Sequence, residues 1–216
     1  MKSKQFLVFG LGRFGTSLAK SLCNLGQEVL AVDSDEELVN DISPYVTQAI
    51  QLDATDENAL QSIGVKNFDA AIVSIGQNTR DSILVSVLLK EMGVPYLVAK
   101  ANDELHAKVL RKIGVDRVVF PERDMGVRMA RSIITPTVLE LMDLSDDYQI
   151  METILPASWA GQTLIGLDVR RKFGVNILAI HREDRFLVSP APDMPFALGD
   201  TLLVMGKRSD IEKLDD

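Results

Sequence analysis

Short apolar runs alternate with helically spaced apolar residues over residues 1–120. The runs comprise Phe6–Phe9, Val29–Val32, Ala49–Leu52, Ala70–Ile75, Tyr96–Ala99 and Arg117–Phe120. Because these runs are continuous rather than alternating, they predict the strands of a parallel sheet that is covered on both faces. Between the first two runs, Phe14, Leu18 and Leu22 recur at helical spacing, and Gly26 is a C-cap candidate. The pattern predicts a Rossmann-like, doubly wound α/β domain with a parallel sheet.

A helix is predicted directly after this domain. Pro121 suits the first helical position, and Met125, Met129 and Ile133 continue the helix at intervals of four residues. Pro136 interrupts it, and a second short helix is predicted at Val138–Met142. We expect the helices of residues 122–142 to join two domains.

The pattern changes after residue 144 and predicts a small α+β domain. The expected strands are Ile150–Ile154, Val175–Ile180, Arg185–Val188 and Thr201–Met205, with a helix near Asp168–Phe173 and a short charged helix at the end. We therefore divide the chain into a nucleotide-binding domain with its connecting helix, residues 1–134, and a linker helix with a dimerising α+β domain, residues 135–216.

Composition narrows the class of partner. The 216 residues carry a net charge of −8, which argues against nucleic acid as a partner because phosphate backbones need a basic face. A single cysteine, Cys23, excludes an internal disulfide and fits a reducing cytosol. No apolar run approaches the roughly 20 residues that span a bilayer, so we expect a cytoplasmic protein that reaches a membrane only through a partner.

The strongest local signal is the turn between the first two predicted elements, Gly10-Leu11-Gly12-Arg13-Phe14-Gly15. Glycines at these positions allow a tight turn, a close approach of backbone N–H groups to a phosphate, and close packing of the helix on the sheet. Asp33 ends the second apolar run, where a carboxylate can accept both ribose hydroxyls and would repel a 2′-phosphate. The pattern predicts a nucleotide site, with a ligand-free glycine turn as the alternative.

Arg13 places a fixed positive charge inside this turn. Backbone amides already serve a pyrophosphate, so the added guanidinium indicates a third phosphate or an unusually anionic ligand. A solvated surface arginine is the alternative.

No complete catalytic set is apparent in the sequence. Tyr96 and Lys100 have the spacing of a short-chain dehydrogenase pair, but they follow Pro95 in a predicted strand, which would hold them about 13 Å apart. His181 is expected at the surface, whereas His106, just after the fifth strand, is a candidate for nucleotide contact. We predict a sensor and not an enzyme. An NAD-dependent oxidoreductase is the alternative. A redox-sensing transcriptional repressor is a second alternative, but the sequence contains no basic helix-turn-helix with which it could bind DNA.

Motifs in both halves resemble one known family. They are Gly10–Gly15, Asp33, Ile75-Gly76, Val98–Ala101, Pro121–Gly126 and Gly166–Ile177. As a set they are similar to the cytosolic gating subunits of Ktr/Trk-type bacterial potassium uptake systems, which consist of an RCK (regulator of K⁺ conductance) N-domain and C-domain. The resemblance implies dimers that assemble into an octameric ring beneath a membrane-embedded K⁺ transporter subunit, at the inner face of the cell membrane.

The family further implies a regulatory subunit that responds to ATP against ADP, with NAD(H) as a further ligand of some relatives. The residues that the resemblance assigns to this site are Gly10, Leu11, Gly12, Arg13, Phe14, Gly15, Asp33, Ser34, Asp53, Ala54, Ile75, Gly76, Lys100, Ala101, His106 and Glu122. Arg13 would reach the terminal phosphate, including that of a neighbouring subunit. Glu122 would ligate a divalent cation, Mg²⁺ or Ca²⁺; otherwise it is a carboxylate that stabilises the first turn of a helix.

In the C-domain, the relatives bind cyclic di-AMP between two copies. The resemblance assigns a phosphate contact to Arg170, an adenine edge to Asn176 and Ile177, and an apolar floor to Val169 and Pro190. Val169 stands where many relatives are expected to have isoleucine. An ordinary dimer core rimmed by one arginine is the alternative.

Overall fold

The computed structural model describes residues 3–134, 138–145 and 147–214. It divides into two compact units, Met1–Arg123 and Asp124–Asp216. The interruption expected at Pro136 lies within residues 135–137, which are outside the described residues. The domain boundary expected between residues 134 and 135 falls at the edge of the same gap. The boundary stays a prediction.

Six parallel strands form one sheet in the described part of the first unit. They are β1 (Gln5–Phe9), β2 (Glu28–Asp33), β3 (Gln48–Gln51), β4 (Ala70–Val73), β5 (Leu97–Lys100) and β6 (Arg117–Val119). Their order is β3-β2-β1-β4-β5-β6. This is the doubly wound order: β2 and β3 are added on one side of β1, and β4, β5 and β6 on the other. Ligands of such sheets bind outside the carboxyl ends of the strands, near the point between β1 and β4 where the order switches. The predicted Rossmann-like fold class is confirmed.

Helices follow the strands of this sheet. They are α1 (Arg13–Asn24), α2 (Glu36–Ile42), α3 (Glu57–Ser62), α4 (Thr79–Glu91), α5 (Glu104–Ile113) and α6 (Pro121–Ile134), with 3₁₀ turns at Ser43–Tyr45 and Val65–Asn67. Successive residues of β1 contact opposite faces: Leu7 and Phe9 belong to one buried cluster and Val8 to another. Continuous apolar runs were therefore a correct sign of a sheet that is covered on both faces.

An antiparallel five-stranded sheet forms the described core of the second unit. Its order is β10-β9-β11-β8-β7, with β7 (Val138–Asp143), β8 (Tyr148–Ile154), β9 (Asn176–Arg182), β10 (Arg185–Val188) and β11 (Thr201–Lys207). The helices are α7 (Leu164–Leu167), α8 (Val169–Phe173) and α9 (Arg208–Ile211), with 3₁₀ turns at Ala157–Trp159 and Glu212–Leu214. Leu202 and Val204 of β11 are fully buried in this core, where Trp159 packs against Phe173 and Phe196. The small α+β domain is confirmed.

The predicted helix at Val138–Met142 is wrong, because these residues lie in β7. Met142 is opposite Ile150 in an antiparallel pair with β8. A helix of five residues closes very few hydrogen bonds for the entropy it loses, whereas pairing with an existing strand satisfies the same backbone groups. Within the described ranges, none of the helices combines the length and apolar character that crossing a bilayer requires.

An ion pair between the half-buried Arg182 and the buried Asp200 holds the loop between β10 and β11. Arg182 donates from Nε and Nη2 to the two carboxylate oxygens of Asp200, each at 2.7 Å, and the Ala197 N–H donates to the same carboxylate at 2.8 Å. The Asp200 side chain is only 1% exposed. The hydrogen bonds from Arg182 hold the pKa of Asp200 below its usual value, against the opposing effect of burial.

We expect Asp200→Asn to lower the free energy of unfolding by about 2 kcal/mol at pH 7, because it leaves Arg182 without its charged acceptor. Since the pKa of Asp200 is lower in the folded state, its stabilising effect is complete above the unfolded-state pKa and is lost as pH falls through the folded-state pKa. Urea unfolding at pH 7 and near pH 3 measures both values. Asp184→Asn, in the exposed β9–β10 turn, is the control with little expected change. An equal loss at both pH values would contradict this role for Asp200.

Candidate functional site

A cavity of about 520 Å³ lies at the carboxyl ends of the parallel strands in the first unit. The residues expected at a nucleotide site that line it are Gly10, Gly12, Arg13, Phe14, Asp33, Ser34, Asp53, Ala54, Ile75, Gly76, Lys100 and Glu122. These residues end or follow the six strands β1 to β6, so the sheet brings side chains from distant parts of the sequence to one edge. The cavity is where doubly wound sheets bind ligands.

The glycine turn between β1 and α1 is packed against the loop after β4. Gly10 has φ +89°, and a Cβ there would lie 3.0 Å from the Ile75 nitrogen. A Cβ on Gly15 would overlap the Gly10 carbonyl oxygen and the Ser74 hydroxyl. That hydroxyl lies within hydrogen-bond distance of the carbonyl oxygens of both Phe9 and Gly10, and its single proton is shared between them. Only glycine allows this approach of helix, turn and neighbouring strand.

Gly12 is the N-cap of α1 and provides no side-chain cap. The first turn of α1 holds no acidic residue, and a Cβ on Gly12 would meet nothing within 4 Å. The unpaired N–H groups at a helix N-terminus carry about half a positive charge and favour anions. Arg13, the first residue of α1, lines the same cavity and is exposed. This end of the cavity has the electrostatics of a phosphate site.

Asp33 braces the glycine turn from the end of β2. Its Oδ2 accepts the Leu11 N–H at 2.6 Å, and its Oδ1 accepts the Asp35 N–H at 3.0 Å. The carboxylate is thereby fixed at the cavity wall. Leu11, which was expected at the site, does not line the cavity. Its backbone N–H donates to Asp33, and its side chain is buried, with 1% exposure.

Lys100 and Glu122 form an ion pair at the ends of β5 and β6. Lys100 Nζ lies 2.5 Å from Glu122 Oε1, with the lysine side chain 13% exposed and the glutamate 67% exposed. The hydrogen bond from Lys100 lowers the pKa of Glu122 most, and the charge of Arg13 lowers it further, while burial opposes both. Glu122 is therefore held as an anion beside two cations. Among the described residues, no group of three or more His, Cys, Asp or Glu side chains could hold a metal ion.

Three further residues expected at the site do not line the cavity. Gly15 packs beneath it, and Ala101 is buried with 2% exposure. His106, which we expected near the nucleotide, is also 2% exposed and lies within the core at the start of α5. We expected His106 at the cavity because it lies shortly after the end of β5. In α5, however, it lies on the same buried face as Ala107 and Leu110, and that face packs against the core.

Other lining residues were missed by the sequence reasoning. They are Val32, Asp35, Leu38, Leu52, Thr55, Ser74, Gln77, Asn78 and Asp81. Two of them are N-caps: Asn78 accepts the N–H groups of Arg80 and Asp81 at the start of α4, and Asp35 accepts the Glu37 N–H at the start of α2. Asp53, which was expected at the site, accepts both the N–H and the hydroxyl of Thr55. The bonds from Thr55 lower the pKa of Asp53. Helix-start signals directly after apolar runs would have found several of them.

The second expected ligand site lies in the second unit. Val169 and Arg170 begin α8, Asn176 and Ile177 begin β9, and Pro190 follows β10. Val169 is buried in the core at 4% exposure, whereas Arg170 and Asn176 are exposed and Ile177 and Pro190 are half-buried. The roles expected for these five residues stay predictions.

The fold defines the class: a Rossmann-like α/β unit with a cavity at the carboxyl ends of its strands, joined to a small α+β unit. A TrkA-N domain model matches residues 6–121, and a TrkA-C domain model matches residues 150–216. The chain therefore belongs to the TrkA-N/TrkA-C family, whose members include Ktr system potassium uptake proteins. The resemblance inferred from the motifs is confirmed, and the oxidoreductase alternative is wrong.

Two relatives from Bacillus subtilis (strain 168) match over nearly their whole length. Ktr system potassium uptake protein A is 45% identical, over 100% of this chain and 97% of its own. Ktr system potassium uptake protein C is 43% identical, over 98% and 96%. The solved GsuK channel bound to NAD shares the fold, with a TM-score of 0.55 and 23% identity, over 100% of this chain and 38% of that longer one.

We expect Gly15→Ala to lower the free energy of unfolding by about 2 kcal/mol or more, because its Cβ overlaps backbone and the Ser74 hydroxyl. Gly12→Ala is the matched control: its backbone, at φ −65°, suits alanine and its Cβ meets open space. Chemical denaturation of both variants measures the difference. Equal stability of the two would contradict the close approach described for Gly15.

Proposed function

We propose that this protein is a nucleotide-sensing regulatory subunit that gates a potassium uptake transporter and binds ATP or ADP in the cavity of its first unit. The observation that carries the proposal is the uncapped N-terminus of α1 at Gly12, open to a cavity that Arg13 also lines. A helix N-terminus without a capping side chain leaves its N–H groups available for a phosphate. Family membership supplies the potassium transport context.

The wall at the end of β2 supports the choice of nucleotide. Asp33, Ser34, Asp53 and Ala54 lie together with the apolar side chains of Leu38 and Leu52. A fixed carboxylate accepts ribose hydroxyls and repels a 2′-phosphate, so ATP, ADP and NAD(H) are favoured over NADP. The apolar side chains suit the face of an adenine ring.

Arg13 supplies the dependence on phosphate number. A diphosphate is served by backbone N–H groups at the start of α1, whereas a third phosphate adds charge that a nearby guanidinium can pair. A ligand shifts a conformational equilibrium only by its difference in affinity for the two states. A contact that ATP makes and ADP lacks is such a difference.

The divalent cation is part of the same proposal. Mg²⁺ is usually held by one or two carboxylates together with nucleotide phosphates, not by an all-protein cage. Glu122 lines the cavity as an anion and suits this role, once a cation replaces Lys100 as its partner. We further propose that dimers of the chain assemble into an octameric ring at the inner face of the membrane, with a membrane-embedded K⁺ transporter subunit as partner.

Arg13→Ala should abolish the difference between ATP and ADP in raising the melting temperature, because the terminal phosphate loses its cation. ADP should still raise the melting temperature, since the N–H groups of α1 remain. Differential scanning fluorimetry at matched nucleotide concentrations measures both effects.

Arg117→Ala is the matched control for Arg13→Ala. It removes the same charge from the same unit, but Arg117 begins β6 and therefore lies at the amino edge of the sheet, opposite the cavity. The control should retain the wild-type difference between ATP and ADP. An unchanged difference in Arg13→Ala would refute the phosphate role of Arg13.

For the second unit, we propose cyclic di-AMP as an effector bound between two copies. The exposed Arg170 is available for a phosphate, and Asn176 presents a side-chain amide at the start of β9. Amide groups of this kind pair with adenine edges. The buried Val169 would then support the site from within the core, and the half-buried Ile177 packs against the same core cluster.

Arg170→Ala should remove cyclic di-AMP binding and leave ATP binding intact, because only the former needs this guanidinium. Isothermal titration calorimetry with each ligand separates the two effects. Arg171→Ala is the matched control: it lies on the same helix, and its side chain pairs with Asp168 at 3.3 Å. Full cyclic di-AMP affinity in Arg170→Ala would overturn the assignment in the second unit.

A further inference from the structure

His106 is a buried titratable group that lies outside the cavity lining. Its Nδ1 accepts the backbone N–H of Asn102 at 3.3 Å, and its backbone N–H donates to Asp103 Oδ1 at 2.8 Å. Burial lowers the pKa of His106, and the charge of Asp103 opposes that effect. The imidazole is therefore neutral, with its proton on Nε2 because Nδ1 is an acceptor.

The other nitrogen of His106 indicates that packing alone does not explain this residue. Nε2 is buried and has no hydrogen-bond partner among the described residues. A buried donor without an acceptor costs stability, whereas leucine would fill similar space with no polar atom. The Nδ1 contact with Asn102 is thus the feature that leucine could not supply.

Asn102 carries this contact to the cavity wall. Its side-chain Nδ2 donates to the Gly76 carbonyl at 2.7 Å and lies 3.5 Å from the Thr79 hydroxyl. Gly76 lines the cavity, and Thr79 is the first residue of α4. The loop between β4 and α4 is therefore tied to the start of α5 through one asparagine.

We propose that His106 is a positioning residue of the nucleotide site, acting through Asn102 on the cavity loop at Gly76. The inference rests on the proposed nucleotide binding. His106 holds the Asn102 backbone, the Asn102 side chain holds the Gly76 carbonyl, and the loop is thereby kept in the shape that receives the ligand. Preorganising a binding loop in this way reduces the entropy lost on binding.

Two substitutions separate positioning from packing. His106→Leu retains apolar volume but removes the acceptor for Asn102. His106→Asn places its Oδ1 near the position of Nδ1 and retains an acceptor, but leaves unfilled space where the ring was. The melting temperature without ligand and the dissociation constant for ATP are measured for both full-length variants.

Positioning predicts opposite orders for the two quantities. His106→Leu should be the more stable variant and yet bind ATP about fivefold more weakly, as for one lost hydrogen bond. His106→Asn should be less stable and bind ATP within about twofold of the wild type. Leu110→Ala, a destabilising change on the same buried face of α5, should leave the ATP dissociation constant unchanged at a temperature where it remains folded.

A double variant tests the route through Asn102. Asn102→Ala should weaken ATP binding by itself, and adding His106→Leu should cause no further loss. Two results would overturn the inference: affinity that falls in parallel with stability, or a loss from His106→Leu that is as large in the Asn102→Ala background as in the wild type. Absence of ATP and ADP binding by the wild type would instead overturn the proposed function, and the inference with it.

Discussion

The close approach of the glycine turn to the loop after β4 is the constraint on which the cavity depends. Gly15 packs so near the Gly10 carbonyl and the Ser74 hydroxyl that no side chain fits between them. Asp33 then fixes the same turn from the other side by accepting the Leu11 N–H. Because both supports meet at the end of β1, the N-terminus of α1 faces the cavity and is not buried against the sheet.

The charges around the cavity follow from that arrangement. Asp33 and Asp53 are occupied by hydrogen bonds from backbone N–H groups, and Glu122 is paired with Lys100. Arg13 stands at the start of α1, beside an uncapped helix N-terminus. Positive charge thus lies at the start of α1, while Asp33 and Asp53 hold the glycine turn and the loop after β3, and Glu122 is neutralised by its neighbours Lys100 and Arg13. Such a division suits a ligand with a phosphate chain at one end and a ribose further along.

Much of the first unit could be predicted because its signals are local and agree with one another. Continuous apolar runs, the glycine turn and Asp33 all indicate the same strand-turn-helix-strand arrangement, and the sheet order follows from it. The helix predicted for residues 138–142 was wrong because the choice between helix and strand depended on pairing with β8, a strand that comes later in the chain. Local propensity is a weak guide where a tertiary contact decides.

For His106, the position in the chain could be predicted but the direction of the side chain could not. Its place after β5 was predicted correctly, but whether its ring faces the cavity or the core depends on the rotation of α5, which Ala107 and Leu110 determine. The helix caps Asp35 and Asn78 were missed for a related reason, since each became part of the cavity only once the sheet had brought the strand ends together. Which residues line the cavity thus depends on tertiary packing, even where each helix and strand can be predicted from the local sequence.

The most direct test of the account is a calorimetric titration of the purified protein with ATP and with ADP. The account predicts saturable binding of one nucleotide per chain, with a difference between ATP and ADP that depends on Arg13. No saturable binding of either nucleotide would contradict it.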